Sequence, residues 1–234
     1  MKILIQGAME EEIQHFLEVY NPYKIEQIAG FKFYIANYKQ HTIIVSLSEK
    51  GIINTTTATT IGINTFAPDL VINQGCAGAH TKDLNIGDII IGEKSIHIND
   101  FHTPIKYEGE GSNSLEWSPS SKRSYSVNST PHYVNLALKT QTNHKKIVGA
   151  LGSGDMFSRE YDRIVHLNKL FGELCEDMES VASLKACERF SVDRIALRII
   201  SNNELTSQKF NRDVCYDIQK FTISFIDTII SSIT

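Results

Sequence analysis

The chain has 234 residues, 41% of them hydrophobic, and a formal net charge of -4. That size suits one domain, 1–234, with a sizeable core, and two would be crowded. The mild acidity gives no footprint for nucleic acid or an anionic membrane. No apolar run is long enough for a bilayer. Four widely spaced cysteines (Cys76, Cys175, Cys187, Cys215) without a CxxC pair predict free thiols in a reducing cytoplasm, not disulfides or a thiolate metal site.

In chain order, "KILIQ" (2–6) reads as a strand, and "MKILIQGAMEEE" has too short an apolar stretch to predict a signal peptide. Residues 9–20 follow as a helix. Strands are predicted at 32–37 and 42–46, a helix at 52–65, and strands at 69–75 and 87–92. Helices are predicted at 133–142 and 178–190, a strand at 193–200 and a last helix at 211–231, where Ile218, Phe221, Phe225 and Ile229 repeat at three- and four-residue steps. Several strands are apolar on both faces, as a sheet covered on both sides requires. The alternation predicts a three-layer α/β/α domain around a mixed, mainly parallel twisted sheet. Residues 98–131, rich in Pro, Ser, Asn and Gly and holding Trp117, break the pattern as one long loop.

In such sheets ligands bind beyond the carboxyl ends of strands. Glu10, Glu11 and Glu12 stand at the first such place. On a helical wheel over 9–20, Met9, Ile13, Phe16 and Tyr20 share a stripe with Leu17 at its edge, so Glu11 points to water while Glu10 and Glu12 flank the apolar face. The pattern leaves those two open. Three solvated first-turn carboxylates favouring a helix N-terminus would read the same way.

Six segments occur in order: "GAMEEE" (7–12), "PDLVINQGCAGA" (68–79), "LNIGDIIIG" (84–92), "GSGDMF" (152–157), "DMES" (177–180) and "LRIISNNE" (197–204). Together they resemble the methylthioadenosine/S-adenosylhomocysteine nucleosidases of the nucleoside phosphorylase superfamily, from Met1 to about Phe225 and least well over 98–131. The resemblance implies an enzyme that cleaves the bond between a purine and a ribose with water as nucleophile. Glu12 would orient that water, Glu10 would be structural, and Glu179 would take the two ribose hydroxyls as an acceptor. Met9, Cys76, Ala77, Gly78, Asp177, Met178, Arg198 and Ser201 would line the substrate, with Phe157 stacking on the base. Unaided by the resemblance, "ELCEDMES" is an acidic helix start, Phe157 a core residue and Cys76 a small buried thiol.

One departure matters. The nucleosidases carry an aspartate that protonates the departing purine where this chain has Asn202. An amide donates a hydrogen bond but yields no proton. Similar asparagines in 6-oxopurine phosphorylases, and an "ISN" string in futalosine hydrolases, keep 6-oxopurine and futalosine-type substrates open. A nucleoside-binding homologue with impaired catalysis stays open too. A phosphorylase would need cationic donors for phosphate, and "GAMEEE" and "GCAGAH" offer acids and only His80, read as a surface residue.

No dinucleotide fingerprint follows a strand, and nothing in the chain asks for a cofactor. His97, Asp100 and His102 match no common metal spacing, so no metal is expected. The resemblance implies a homodimer in which Phe101, His102, Pro104 and Trp117 of the long loop complete the neighbour's pocket.

Overall fold

The computed structural model describes residues 1–120 and 126–233. Its strands are β1 (Lys2–Gly7), β2 (Lys24–Ile28), β3 (Phe31–Tyr38), β4 (His41–Leu47), β5 (Leu70–Ala79), β6 (Ile89–His97), β7 (Phe101–His102), β8 (Ser118–Pro119), β9 (Ser126–Asn128), β10 (Lys146–Ser153), β11 (Glu173–Asp177) and β12 (Asp193–Asn202). Its helices are α1 (Gln14–Tyr20), α2 (Ile52–Phe66), α3 (Pro131–Lys139), α4 (Tyr161–Phe171), α5 (Ser180–Arg189) and α6 (Val214–Ile233).

Runs apolar on both faces end at the centre of the sheet. Ile3, Leu4 and Ile5 of β1 are all fully buried, because consecutive side chains point to opposite faces and both are covered. One face packs α1, α3 and α6 through Phe16, Ile72, Ile199, Ile218 and Phe225. The other packs α2 and α5 through Leu4, Phe33, Val71, Leu184 and Ile200. The predicted stripe of α6 is buried as its period requires.

The strand order is β11-β10-β6-β12-β5-β1-β4-β3-β2, with β9 beside β6. Parallel pairings join β4, β1, β5 and β12, and also β6, β10 and β11; antiparallel ones join β12 to β6 and build the β4-β3-β2 edge. The last residues of β11 also pair antiparallel with the last residues of β5, at Cys175–Ala79 and Glu176–Gly78. Strands β5, β12, β6, β10 and β11 therefore close on themselves, and the carboxyl ends of β5 and β11 meet. In β12 the register shifts between Ile200 and Asn202, a local irregularity of the kind that re-aims side chains at a strand end.

The helix predicted over 9–20 is broken in two. Glu10–Glu12 form a 3-10 turn, and α1 starts only at Gln14. The long loop is partly ordered: β7 pairs with β8, while 121–125 of the predicted loop lie outside the described residues. No helix among the described residues is long and apolar enough to cross a membrane.

Candidate active site

A cavity of about 750 Å3 opens where β1, β5, β11 and β12 end. That is the size of a small-molecule site. Met9, Glu12, Cys76, Ala77, Gly78, Phe157, Asp177, Met178, Glu179 and Ser201, all singled out by the sequence, line it.

Glu12 is the one of the three glutamates that turns inward. Its Oε2 accepts from the backbone N–H of Ala8 (2.8 Å) and Met9 (3.2 Å), and its Oε1 from that of Cys76 (2.9 Å). The tight turn that presents these donors needs its glycines. A Cβ on Gly75 would lie 2.5 Å from Glu12 Oε1, so only a glycine lets the carboxylate approach β5. Burial raises the Glu12 pKa, against the opposing pull of the Cys76 N–H and the Arg198 charge. Of the neighbours, Glu10 is exposed rather than structural, because the helix assumed by the wheel is broken here. Glu11 faces outward as expected and pairs at the surface with Arg212 at 3.0 Å.

Glu179 enters from the turn after β11. Its Oε1 accepts from Gly51 N–H (3.2 Å) and its Oε2 from Met178 N–H (3.2 Å). Burial pushes its pKa up to about 7, Arg198 pulls it down, and the charges of Asp177 and Glu12 push it up again. The two glutamates thus share one cavity and feel one another. Arg198, expected against the substrate, is 1% exposed and stands behind the wall. Its guanidinium makes charge contacts with Asp177 Oδ2 (3.1 Å) and Glu179 Oε2 (3.9 Å) and donates to Asn73 Oδ1 (2.6 Å). Asp177 lines the cavity, but its carboxylate is engaged within the protein: its Oδ1 accepts from Glu179 N–H and Ser180 N–H (both 2.9 Å) and from Ser153 Oγ, anchoring the start of α5.

Asn202 is not among the residues that line the cavity: it is buried behind Gly78, which does line it, and a Cβ added to Gly78 would meet its Nδ2 at 3.2 Å. Nδ2 donates to Glu204 Oε1 (3.3 Å), and Oδ1 accepts from Ser201 Oγ (3.1 Å). Phe157 is half exposed and lines the cavity, so it is no core residue.

Several lining residues were not singled out by the sequence, among them Lys50, Arg159 and Phe210, and Glu176 and Glu204 inside quoted segments. Glu176 belongs to a buried charged cluster. His80, expected at the surface, is 3% exposed. Its Nδ1 contacts Glu173 Oε1 at 2.8 Å and its Nε2 lies 3.5 Å from Glu176 Oε2. Burial alone would lower its pKa, but the two carboxylates raise it to about 9. Glu176 in turn accepts from Ser158 N–H (2.8 Å) and Oγ (3.0 Å), so the cluster pins the segment that carries Phe157.

The cysteine expectation is overturned. Cys76 and Cys215, 139 residues apart in sequence with Cα atoms 6.0 Å apart, form a disulfide, while Cys175 and Cys187 are free and buried. Sequence spacing holds no trace of a pair made by the docking of α6 under β5. Among the described residues, Glu12, Cys76 and Cys215 are also the only trio of potential metal ligands, and two of them are bonded to each other. Phe101, His102 and Pro104 do not line this cavity. Phe101 packs within its own chain on Phe171, Trp117 and Arg163, whereas His102 is exposed.

The sequence profile of the phosphorylase superfamily matches residues 2–231. The chain belongs to the phosphorylase superfamily. Within it, the chain is like the methylthioadenosine/S-adenosylhomocysteine nucleosidases. It is 32% identical over 203 residues to that nucleosidase from Buchnera aphidicola subsp. Schizaphis graminum, covering 86% of this chain and 84% of the relative. It is 31% identical to the one from Buchnera aphidicola subsp. Acyrthosiphon pisum (strain APS), covering 98% and 99%. Among solved structures, a futalosine hydrolase mutant of Helicobacter pylori superposes with a TM-score of 0.83 at 26% identity, covering 97% of this chain and 99% of that one. A Helicobacter pylori nucleosidase mutant with 5'-methylthioadenosine in its active site gives 0.82 at 26% identity, covering 97% and 98%.

Proposed function

We propose that this phosphorylase-superfamily protein hydrolyses the N-glycosidic bond of purine nucleosides, chiefly adenosine-type compounds with a substituted 5' position. The observation that carries the reading is the convergence of two buried carboxylates, Glu12 and Glu179, on one cavity.

Lone-pair accounting supports distinct roles. A carboxylate has about four acceptor sites. Three N–H groups occupy those of Glu12, which leaves room for one attacking water. Glu179 has one N–H on each oxygen and so one free site on each, which suits two neighbouring ribose hydroxyls. Arg198 opposes the effect of burial and favours the anionic form of both carboxylates as positive charge develops on the sugar. The water loses its proton to Glu12 as it attacks the anomeric carbon. Phe157 offers a face to the purine, and Asn202 a hydrogen bond to the leaving base without a transferable proton.

Incubation with methylthioadenosine, adenosylhomocysteine, inosine and futalosine, with and without phosphate, tests this. Free base without phosphate from the first two is the expected outcome. Strict phosphate dependence would make the protein a phosphorylase, a reading in which Lys50 on the cavity wall would be the cationic donor. Release from inosine or futalosine alone would move the substrate class to 6-oxopurines, and tight binding without release would mark a binding protein.

The same reading makes the protein a homodimer, with His102 and Pro104 and the strongly exposed Ile105 and Tyr107 meeting a neighbour. Sedimentation should find a dimer at assay concentrations; a fully active monomer would refute it.

A further inference from the structure

The four cysteines differ sharply in what can reach them. Cys175 and Cys187 are fully enclosed, and burial raises their pKa, that of Cys187 to about 12, which makes them inert thiols. Cys76 is half-buried and lines the cavity. Cys215, 1% exposed on α6, is bonded to it from below. Their Cα separation of 6.0 Å lies within the usual range for a disulfide.

We propose that Cys76 is a thiol-oxidation site reached through the nucleoside cavity, and that Cys215 is the resolving thiol that keeps this cavity usable. The co-reactant is a low-molecular-weight disulfide such as oxidised glutathione. In the reduced protein the Cys76 thiolate attacks one sulfur of that disulfide. A mixed disulfide forms on Cys76, and one small thiolate leaves and takes up the Cys76 proton. The Cys215 thiolate then attacks the Cys76 sulfur, the Cys76–Cys215 bond forms, and the second small thiol departs with the Cys215 proton.

The first adduct is the harmful one. It would occupy the cavity beside Glu12, whose Oε1 is held by the Cys76 N–H itself. Ring closure removes it downward, under β5, and leaves the cavity open as in this structure. The proposal rests on the reading of this cavity as the nucleoside site only for the loss of turnover and for shielding by nucleoside.

The test uses the whole reduced chain, freed of reductant, treated with oxidised glutathione and followed by intact mass, peptide mapping and base release. The wild type should form the 76–215 cross-link, retain no adduct and keep most of its activity. Cys215→Ser should be as active as the wild type when reduced. On treatment it should accumulate glutathione on Cys76 and lose activity by about tenfold or more, recovered with dithiothreitol. Bound methylthioadenosine or adenine should slow both modifications by a similar factor. A Cys215→Ser chain that resists glutathione disulfide, an adduct on Cys175 or Cys187, a stable adduct on the wild type, or modification indifferent to bound ligand would each overturn the proposal. Cross-linking needs no turnover: a chain that forms the 76–215 bond but hydrolyses no nucleoside would sink the nucleosidase reading and leave the thiol chemistry standing.

Discussion

Replacing Glu12 with glutamine isolates the role given to this side chain. The carboxylate accepts from Ala8, Met9 and Cys76 N–H at 2.8, 3.2 and 2.9 Å. The amide keeps the volume but turns one oxygen into a donor. If its oxygen faces Ala8 and Met9, the NH2 meets the Cys76 N–H; flipped, it meets the other two. At least one buried N–H then lacks an acceptor, a cost of about 1–3 kcal/mol. Part of this is returned, because a neutral group no longer has to be held as a charge in a site whose burial raises the Glu12 pKa. The fold should therefore survive with a modestly lower melting temperature. Turnover should not. A positioned base contributes about a hundred- to ten-thousand-fold, which is roughly 3–5 kcal/mol of barrier. Nucleoside affinity, which relies on Glu179 and the base pocket, should change by less than about tenfold. Base release at saturating nucleoside gives kcat, calorimetric titration gives Kd, and a thermal melt shows that the variant is folded. A folded Glu12→Gln protein with kcat within about tenfold of the wild type would refute the role of Glu12 in aiming water.

Other perturbations probe the remaining groups. Glu179 must be ionised to accept two hydroxyls, and its pKa of about 7 places the acid limb of kcat/KM there, with activity rising as pH passes that value; a profile flat from mildly acidic to mildly basic pH would contradict it. The same shift bears on stability. The folded chain holds this proton more tightly than the unfolded one, so the contribution is complete below the ordinary value of 4.5 and is lost as pH rises through about 7, which denaturant melts across that window should show. Asn202→Asp restores a transferable proton at the leaving base and should raise turnover of adenosine-type substrates; no gain in a folded, ligand-binding variant removes the account of this position. His80→Ala leaves Glu173 and Glu176 buried without their cation and should cost about 3–5 kcal/mol near neutral pH. In the wild type the contribution of His80 is full below 6.5 and lost as pH rises through about 9, so the gap between the two proteins should narrow in basic solution.

Much of the layered architecture is legible in the chain. Runs such as "KILIQ", "TIIVS" and "DRIALRII" are apolar on both faces, and a covered sheet is the one place that can bury both. Outside the predicted set, β7, β8 and β9 fall in the stretch read as a loop, and composition hides the other three strands. β2 is a polar edge, β10 is interrupted by Gly149 and Gly152, and β11 reads "ELCED", acidic yet buried because His80 and Arg198 compensate its charges. α4 lay outside the predicted elements although Ile164, Leu167 and Phe171 repeat at helical steps.

The site divides in the same way. Local chemistry determined the first candidates, carboxylates just past strand ends and glycines where backbone must come close, and the family resemblance added an amide where the nucleosidases carry an acid. Periodicity left Glu10 and Glu12 open and the resemblance pointed to Glu12; tertiary structure turned Glu12 inward, by breaking the helix at Ile13 and supplying the Cys76 N–H from β5. It likewise withdrew Arg198 behind the wall and engaged the Asp177 carboxylate with Arg198 and the start of α5, buried His80 between two acids, and joined Cys76 to Cys215. The physical reason is common to all four. Periodicity records which side of an element meets apolar neighbours, whereas a charge or thiol is placed by partners that distant segments bring to it.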